Sequence, residues 1–370
     1  MLVQARTHYG KVIKIGLFLA LLAIPACGNL VTRFLDSVTQ TTGPWAKKRR
    51  LTINNSGIGQ LTDFPLMVSL NASRIDYSLC QSSGQDLRFF DGDGKTALSY
   101  EIEQWNSSGT SIVWVRVPQV DASSTSDSIV MVYGNPSAPA ASNAAAVWTS
   151  DYVGVYHMNN GQDASTKGNH ASSVSNVTFS SGGAYGGTGF FDSALTPAMT
   201  VPTTGYALAN GGTIEALVSL RTAPTNSNYR FIFSHTSGLD ERMYLGTKDA
   251  ARTFMGAMGN NIELLSATAT YTLNTPTYVS IVFSGPPPGS FAIFFNGIQT
   301  DSNTYSVHNG IVPTAKIGNY GNGANTWGWD GDIHEVRVSM TTKNADYMKA
   351  NNRAFTDSYI TYGAEEKNQQ

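Results

Sequence analysis

From residue 45 onward, apolar and polar positions alternate in short runs and do not recur every three to four residues. LTINN (51–55), FPLMVSL (64–70), DLRFF (86–90), LSYEIEQW (98–105), SIVWVRVP (111–118) and SIVMVYG (128–134) are rich in Val, Ile, Phe, Tyr and Trp, with Gly, Asn, Asp or Ser between them. That is the pattern of strands joined by turns. In SIVWVRVP, Val113, Val115 and Val117 alternate with Trp114 and Arg116, which predicts a half-buried strand. Six such strands within residues 45–134 predict a sandwich. The small, Pro/Ala-rich stretch that follows reads as a linker over 135–147. A second β region then runs over 148–364, with TIEALVSL (213–220), RFIFSH (230–235), TYVSIVFS (277–284), FAIFFNG (291–297), AKIGNY (315–320) and DIHEVRVS (332–339) as its clearest strands. Asn296-Gly297 between strand-like flanks is a hairpin signal. One helix is expected, over 342–355, and a polar tail at 365–370. The expected fold class is all-β: two β-sandwich domains in tandem and one short C-terminal helix.

Composition agrees with this pattern. Charged residues are 14% of the chain, low against a typical ~25%. Ser, Thr, Asn and 36 Gly take their place, and aromatics reach 11%. Such a mixture suits strands and tight turns better than surface helices. Nucleic acid is not an expected partner, because no basic stripe interleaves with aromatics.

The N-terminus departs from this pattern. Residues 1–14 carry Arg6, Lys11 and Lys14 and no acid, and residues 15–26 form an uncharged, mostly apolar run ending at Cys27. Twelve residues are too few to span a bilayer, which needs ~20. The length and flanks are those of a signal peptide over 1–26. Ile24-Pro25-Ala26-Cys27 resembles a lipobox, with Gly28 after it. Lipid attachment at Cys27 and a tether over 27–44 follow from that resemblance; an ordinary cleaved signal is the alternative. Acyl chains on Cys27 would hold the protein on a membrane. Gly28 is not an inner-membrane retention residue of the Asp type, so the outer membrane is the expected address where a cell has one. Cys80, the other of two cysteines, is then expected as a small buried or half-buried residue.

Two family resemblances rest on longer stretches. Trp45 with KKRRLTINN after it, LTDFPLMVSLN (61–71), GQDLRFFDGDGKTALSYEIEQW (84–105), VWVRVP (113–118) and VMVYGNPSA (130–138) resemble the DUF2341 family over residues 45–140. This implies a β-sandwich but no chemistry. GVYHMNNGQDASTKGNHAS (154–172) and GWDGDIHEVRVS (328–339) resemble a laminin-G-like, concanavalin A-type jelly roll over 148–363. The family's common ending has Asp where His334 stands here.

The second resemblance implies Ca²⁺ on one rim, held by oxygens. Asp163, Ser165 and Asn169 in the first of these loops, with Asp330, Asp332 and Glu335 near the second, are the candidate calcium residues. Turn formation by the same Asp and Asn side chains is the alternative. Trp327 and Trp329, with Tyr320 and Asn325 in the same Asn/Gly-rich loop, are candidate ligand contacts, because exposed indoles stack on sugar rings. Core packing at the sandwich rim is their alternative.

Other motifs carry less. DGDGK (91–95) lacks the later EF-hand residues and reads as a hairpin turn. Glu101 and Glu103 share one face of a strand and read as a solvated pair, not as a glycosidase dyad. His157 reads as structural, KKRR (47–50) as the solvated start of the first strand, and no Ser, Cys or zinc signature of an enzyme is found. The expected function is therefore a non-catalytic, lipid-anchored surface protein recognising a glycan or a protein ligand. The alternative is an accessory subunit of a cell-envelope assembly.

Overall fold

The first strand, Lys47–Ile53, pairs antiparallel with Ser128–Tyr133 on one side and with Ile360–Lys367 on the other. The second partner comes from the far end of the chain. The computed structural model describes residues 45–206, 211–225, 228–236, 242–248, 253–259, 262–265, 270–306, 312–321 and 327–368 of the chain. The expected signal segment and tether, with Cys27, and the candidate contact Asn325 lie outside the described residues.

Two sheets build the first sandwich. One has the order Ile360–Lys367, Lys47–Ile53, Ser128–Tyr133, Arg88–Asp91, Ala97–Leu98; the other has Leu61–Leu70, Ser111–Val120, Tyr100–Gln104. The DGDGK segment is a tight turn between Arg88–Asp91 and Ala97–Leu98, where Asp93 Oδ1 accepts from Lys95 N (2.7 Å) and Thr96 N (2.8 Å). The Cys80 thiol is half-buried, and burial pushes it up to about 12, which makes it unreactive.

The chain end corrects two expectations. Residues 365–367 are not a free tail, because they continue the strand that closes the first sandwich's sheet. The KKRR run is not merely solvated: Lys47 pairs with Glu365, and Lys48 Nζ lies 3.2 Å from Glu366 Oε2. A basic first strand and an acidic last strand are thus matched across one ladder.

The expected linker is also a packed strap. Gln81 Nε2 donates to the carbonyls of Asn135 and Ala138 at 2.9 Å, Asn143 N donates to Tyr100 O at 2.8 Å, and a short helix, Ala144–Val147, buries Val147. These bonds satisfy backbone groups that a loose linker would leave to water.

Two larger sheets build the second sandwich. One follows the path Val177–Gly183, Gly186–Phe191, Gly331–Ser339, Gly211–Leu220, Thr277–Ser284, Gly289–Phe295, Ile298–Tyr305, with Tyr152–Tyr156 also paired to Gly331–Ser339. The other follows Ile262–Leu265, Thr253–Gly259, Arg242–Lys248, Tyr229–Thr236, Thr314–Ile317, Ala198–Pro202, Ser173–Ser175. Asn296 and Gly297, at φ 48° and 79°, make the expected hairpin turn, both in the left-handed region that this turn type needs. The helix Ala345–Phe355 begins at Asn344, whose side chain accepts from Tyr347 N.

Where the core sits decides how the sandwiches relate. Leu51, Phe64, Val68, Trp114 and Met131 of the first sandwich belong to one buried cluster with Leu217, Tyr278, Val282 and Phe294 of the second, and with Met348 and Phe355 of the helix. Burying Phe294 and Phe355 contributes about 1.5–3 kcal/mol each. The first sandwich and the helix therefore cover the outer face of the second sandwich's larger sheet. This explains why Ser111–Val120, expected half-buried, has Trp114 only 1% exposed: its second face meets another sandwich, not water.

Candidate functional site

Trp327, Gly328 and Trp329 run extended, and alternate residues of an extended chain face opposite ways. Phe231 N donates to Trp327 O (3.1 Å) and Trp329 N donates to Gly318 O (2.8 Å), which pins both ends of the segment. Trp329 enters the second sandwich's own core at 0% exposure, with Nε1 donating to Asp332 O at 3.2 Å. Of the two indoles, then, the structure keeps only Trp327 near solvent.

Trp327 is half-buried and joins an aromatic cluster. Its ring centroid lies 5.2 Å from Tyr320, 5.4 Å from Tyr229 and 5.9 Å from Phe231. Phe231 in turn lies 4.8 Å from Tyr320 and 5.1 Å from Tyr244. Met255 and Ala257 complete the cluster. Strand alternation assigns it to the outer face of the second sandwich's smaller sheet, since Met243, Leu245, Phe254 and Met258 on the same strands enter the main core. Tyr320 is buried, so it acts as floor, while Trp327 and Tyr229 are half-buried. Sequence reasoning missed Tyr229, Phe231 and Tyr244; only strand pairing places them beside Trp327.

The six candidate calcium residues fall into separate hydrogen-bonded sets. Asp163 Oδ1 accepts from Val155 N and Ser165 N, and Oδ2 from Ser165 Oγ and Asn169 N, all at 2.8 Å. Asn169 is used likewise, its Nδ2 donating to Val153 O (2.7 Å) and Thr204 O (2.9 Å). Asp330 accepts from Arg221 Nη2 at 2.6 Å, from Ser193 N at 3.3 Å and from Thr222 Oγ1. Burial alone would raise the Asp330 carboxyl, but these donors hold it below its ordinary value. Asp332 is half-buried, and burial raises its carboxyl. His334, at the position usual for Asp, bridges Thr188 Oγ1 (3.0 Å) and Ser219 Oγ (3.3 Å), and burial lowers it to about 4. Among the described residues, the one group of three His, Cys, Asp or Glu side chains with ligand atoms mutually within 4.8 Å is Glu103, His157 and Glu335. Glu335 alone of the calcium candidates is in it.

That group overturns the reading of Glu101 and Glu103 as a solvated pair. Their strand is the one that meets the second sandwich, and the Glu103 side chain is 1% exposed. Glu103 accepts from Trp114 Nε1 (2.7 Å) and Gly187 N (2.9 Å); Glu101 accepts from Trp148 Nε1 (2.6 Å). His157 bridges Glu335 Oε2 (2.8 Å, from Nδ1) and Glu101 Oε2 (3.2 Å, from Nε2). Burial pushes the Glu103 carboxyl up to about 7. Burial alone would lower His157, but Glu335, Glu101 and Glu103 hold it well above its ordinary value. Beyond them, Arg337 donates to Glu215 Oε2 and Asn351 Oδ1 (both 3.2 Å), and its guanidinium lies over Trp114 and Trp148. A Cβ on Gly186, at φ 93°, would fall 1.8 Å from Glu103 Oε1, so only glycine allows this approach.

Two known modules follow one another in this chain. Residues 83–170 match the family model described as a domain of unknown function, DUF2341. Residues 192–349 match the one described as the concanavalin A-like lectin/glucanases superfamily. No curated protein matches by sequence. Solved structures similar to part of this chain include domain 4 of AbnA, a GH43 extracellular arabinanase from Geobacillus stearothermophilus, in complex with arabinotriose. It is 14% identical, with 54% of this chain and 97% of that one covered and a TM-score of 0.42. The binding domain of botulinum neurotoxin DC in complex with SialylT is 12% identical, with 56% and 52% covered and a TM-score of 0.42. The binding domain of Paraclostridial Mosquitocidal Protein 1 is 12% identical, with 55% and 52% covered and a TM-score of 0.43. The chain thus spans about half the length of those two toxin binding domains.

The DUF2341 match contains Glu101, Glu103 and His157, whereas the concanavalin A-like match contains Glu335, Tyr229, Tyr320 and Trp327. The aromatic cluster therefore belongs to the concanavalin A-like module alone. The carboxylate–histidine group needs both.

Proposed function

We propose that this chain is an exported, lipid-anchored binding protein whose concanavalin A-like module recognises a glycan at the aromatic cluster around Trp327. The observation that carries this reading is the half-buried pair Trp327 and Tyr229 over a buried floor of Phe231, Tyr320 and Tyr244. Such rings offer flat apolar faces that suit the C–H faces of sugars. The DUF2341 module serves as a rigid mounting fused to the back of the jelly roll. Binding is favoured over catalysis because Glu101 and Glu103, the nearest approach to a glycosidase pair, are held in a buried seam by indole, amide and imidazole groups.

The test is a glycan array probed with the soluble chain from residue 28 onward, in millimolar calcium and in a calcium chelator. Trp327→Ala is expected to weaken binding at least tenfold (more than about 1.4 kcal/mol) while the chain stays folded, with a single cooperative melt. Loss of binding in chelator, restored by calcium, would support calcium assistance; equal binding in both arms would remove it. No binding to any glycan, with co-purification of envelope proteins, would replace this reading with that of an assembly subunit. The anchor has its own check: cells fed a labelled fatty acid should label the wild type and not Cys27→Ser. Equal labelling of both would refute attachment at Cys27.

A further inference from the structure

We propose that Glu103, His157 and Glu335 hold one divalent transition-metal ion of the zinc type, buried where the two modules meet. The three side chains come from three separate places: the strand Tyr100–Gln104, the residue after Tyr152–Tyr156, and the strand Gly331–Ser339. Their ligand atoms lie within 4.8 Å of one another, with His157 Nδ1 2.8 Å from Glu335 Oε2 and 3.6 Å from Glu103 Oε2. Around a tetrahedral zinc with ligands at roughly 2.0–2.2 Å, neighbouring donors stand roughly 3.3 Å apart. The separation of His157 Nδ1 from Glu103 Oε2 is close to this value, and that from Glu335 Oε2 is shorter than it.

The surroundings supply what such a site requires. A liganding imidazole needs its other nitrogen bonded to an acceptor, which fixes the tautomer. Here Nε2 stands 3.2 Å from Glu101 Oε2, so a proton held on Nε2 would leave the Nδ1 lone pair for the ion. Glu101 and Glu103 are themselves oriented by the indoles of Trp148 and Trp114. A second, independent feature points to a cation. Glu335 is 3% exposed, yet its Oε1 has no hydrogen-bond partner. Arg337 Nε pairs with it only at 3.8 Å, too far for a hydrogen bond and itself left without one, while Nη2 of the same guanidinium bonds Glu215. A metal bound by both Glu335 oxygens would complete that carboxylate and bring the donor count to four.

Charge leads to the same conclusion. Glu101, Glu103 and Glu335 all face one imidazole in a seam walled by Trp114 and Trp148. A divalent ion offsets the surplus negative charge that burial would otherwise make costly. Calcium does not suit this pocket, because it takes six to eight oxygens and here one donor is an imidazole nitrogen. This ion is separate from any calcium at the jelly-roll rim, and it would act as a rivet between modules.

The experiment uses the full soluble chain, purified without chelator from cells supplied with zinc, and reads metal content by mass spectrometry together with the melting temperature. The expected result is close to one equivalent of ion per chain. Stripping it should lower the melting temperature by roughly 5–10 °C. Zinc should restore it and calcium should not. Glu101→Gln keeps all three ligands and should weaken zinc affinity by about 10–100-fold. A chain that retains no ion and whose melting temperature ignores added zinc would overturn the proposal. So would zinc binding that Glu101→Gln and Glu335→Gln both leave intact, since the ion would then sit elsewhere. If Glu335→Gln fails to fold, the wild-type metal content and its chelator response still decide. Neither readout depends on glycan binding, so this proposal and the glycan reading fail separately.

Discussion

Arg337→Ala should cost about 3–5 kcal/mol of stability, the largest loss expected from any single substitution here. Arg337 is 0% exposed and lies among Trp114, Trp148 and Phe355. Its guanidinium holds Glu215 and Asn351, both fully buried. Removing it leaves the buried Glu215 carboxylate without its counter-charge, and an unpaired buried charge is far more costly than the net value of the pair. It also opens a cavity between three aromatic rings. Urea unfolding monitored by tryptophan fluorescence reports this directly, since Trp114 and Trp148 flank the site. A loss under 1 kcal/mol would mean that water reaches the Glu215 carboxylate in the folded chain once the guanidinium is gone. Arg337→Met, which fills the volume, should recover the cavity part of the loss and not the charge part.

The second large effect concerns the modules as pieces. A fragment spanning 45–147, the first sandwich as the sequence delimits it, should not fold. It lacks the strand Ile360–Lys367, so one whole side of Lys47–Ile53 becomes a bare sheet edge. It also lacks Leu217, Tyr278, Phe294, Met348 and Phe355, which complete the cluster that contains Phe64 and Trp114. The missing contacts amount to several buried side chains at about 1.5–3 kcal/mol each, comparable with the whole stability of a domain. Circular dichroism and a proton spectrum of the fragment test this. A cooperative melt and dispersed amide signals would show that the first sandwich is independent after all. Truncation of the full chain after residue 359 should have the same effect on the first sandwich while leaving a larger folded remainder.

Much of the architecture was legible from local pattern. Runs rich in Val, Ile, Phe and Tyr marked strands such as Ser128–Tyr133 and Thr277–Ser284, and Asn296-Gly297 marked its hairpin. Each depends on neighbours in sequence, so sequence suffices. The boundaries were not legible in the same way. Residues 365–367 read as a polar tail because Glu365 and Glu366 make sense as strand residues only opposite Lys47 and Lys48, more than 300 positions away.

The candidate site divides along the same line. That Trp327 and Trp329 belong to one loop is in the sequence, but the extended course that sends them to opposite faces is not. Which face is core and which carries Tyr229 and Phe231 depends on the sheet, and the tertiary structure alone decided it. The clearest case is Glu101, Glu103 and His157. A strand with carboxylates on one face looks solvated whenever that face has no known partner, and the partner here is a second sandwich whose contribution, Glu335, lies more than 230 residues further on. Alternation tells which residues share a face. It carries no information about what covers that face, because the covering surface is assembled from distant chain by packing, and the same carboxylate is a solvated surface charge or a buried hydrogen-bonded group according to that packing alone.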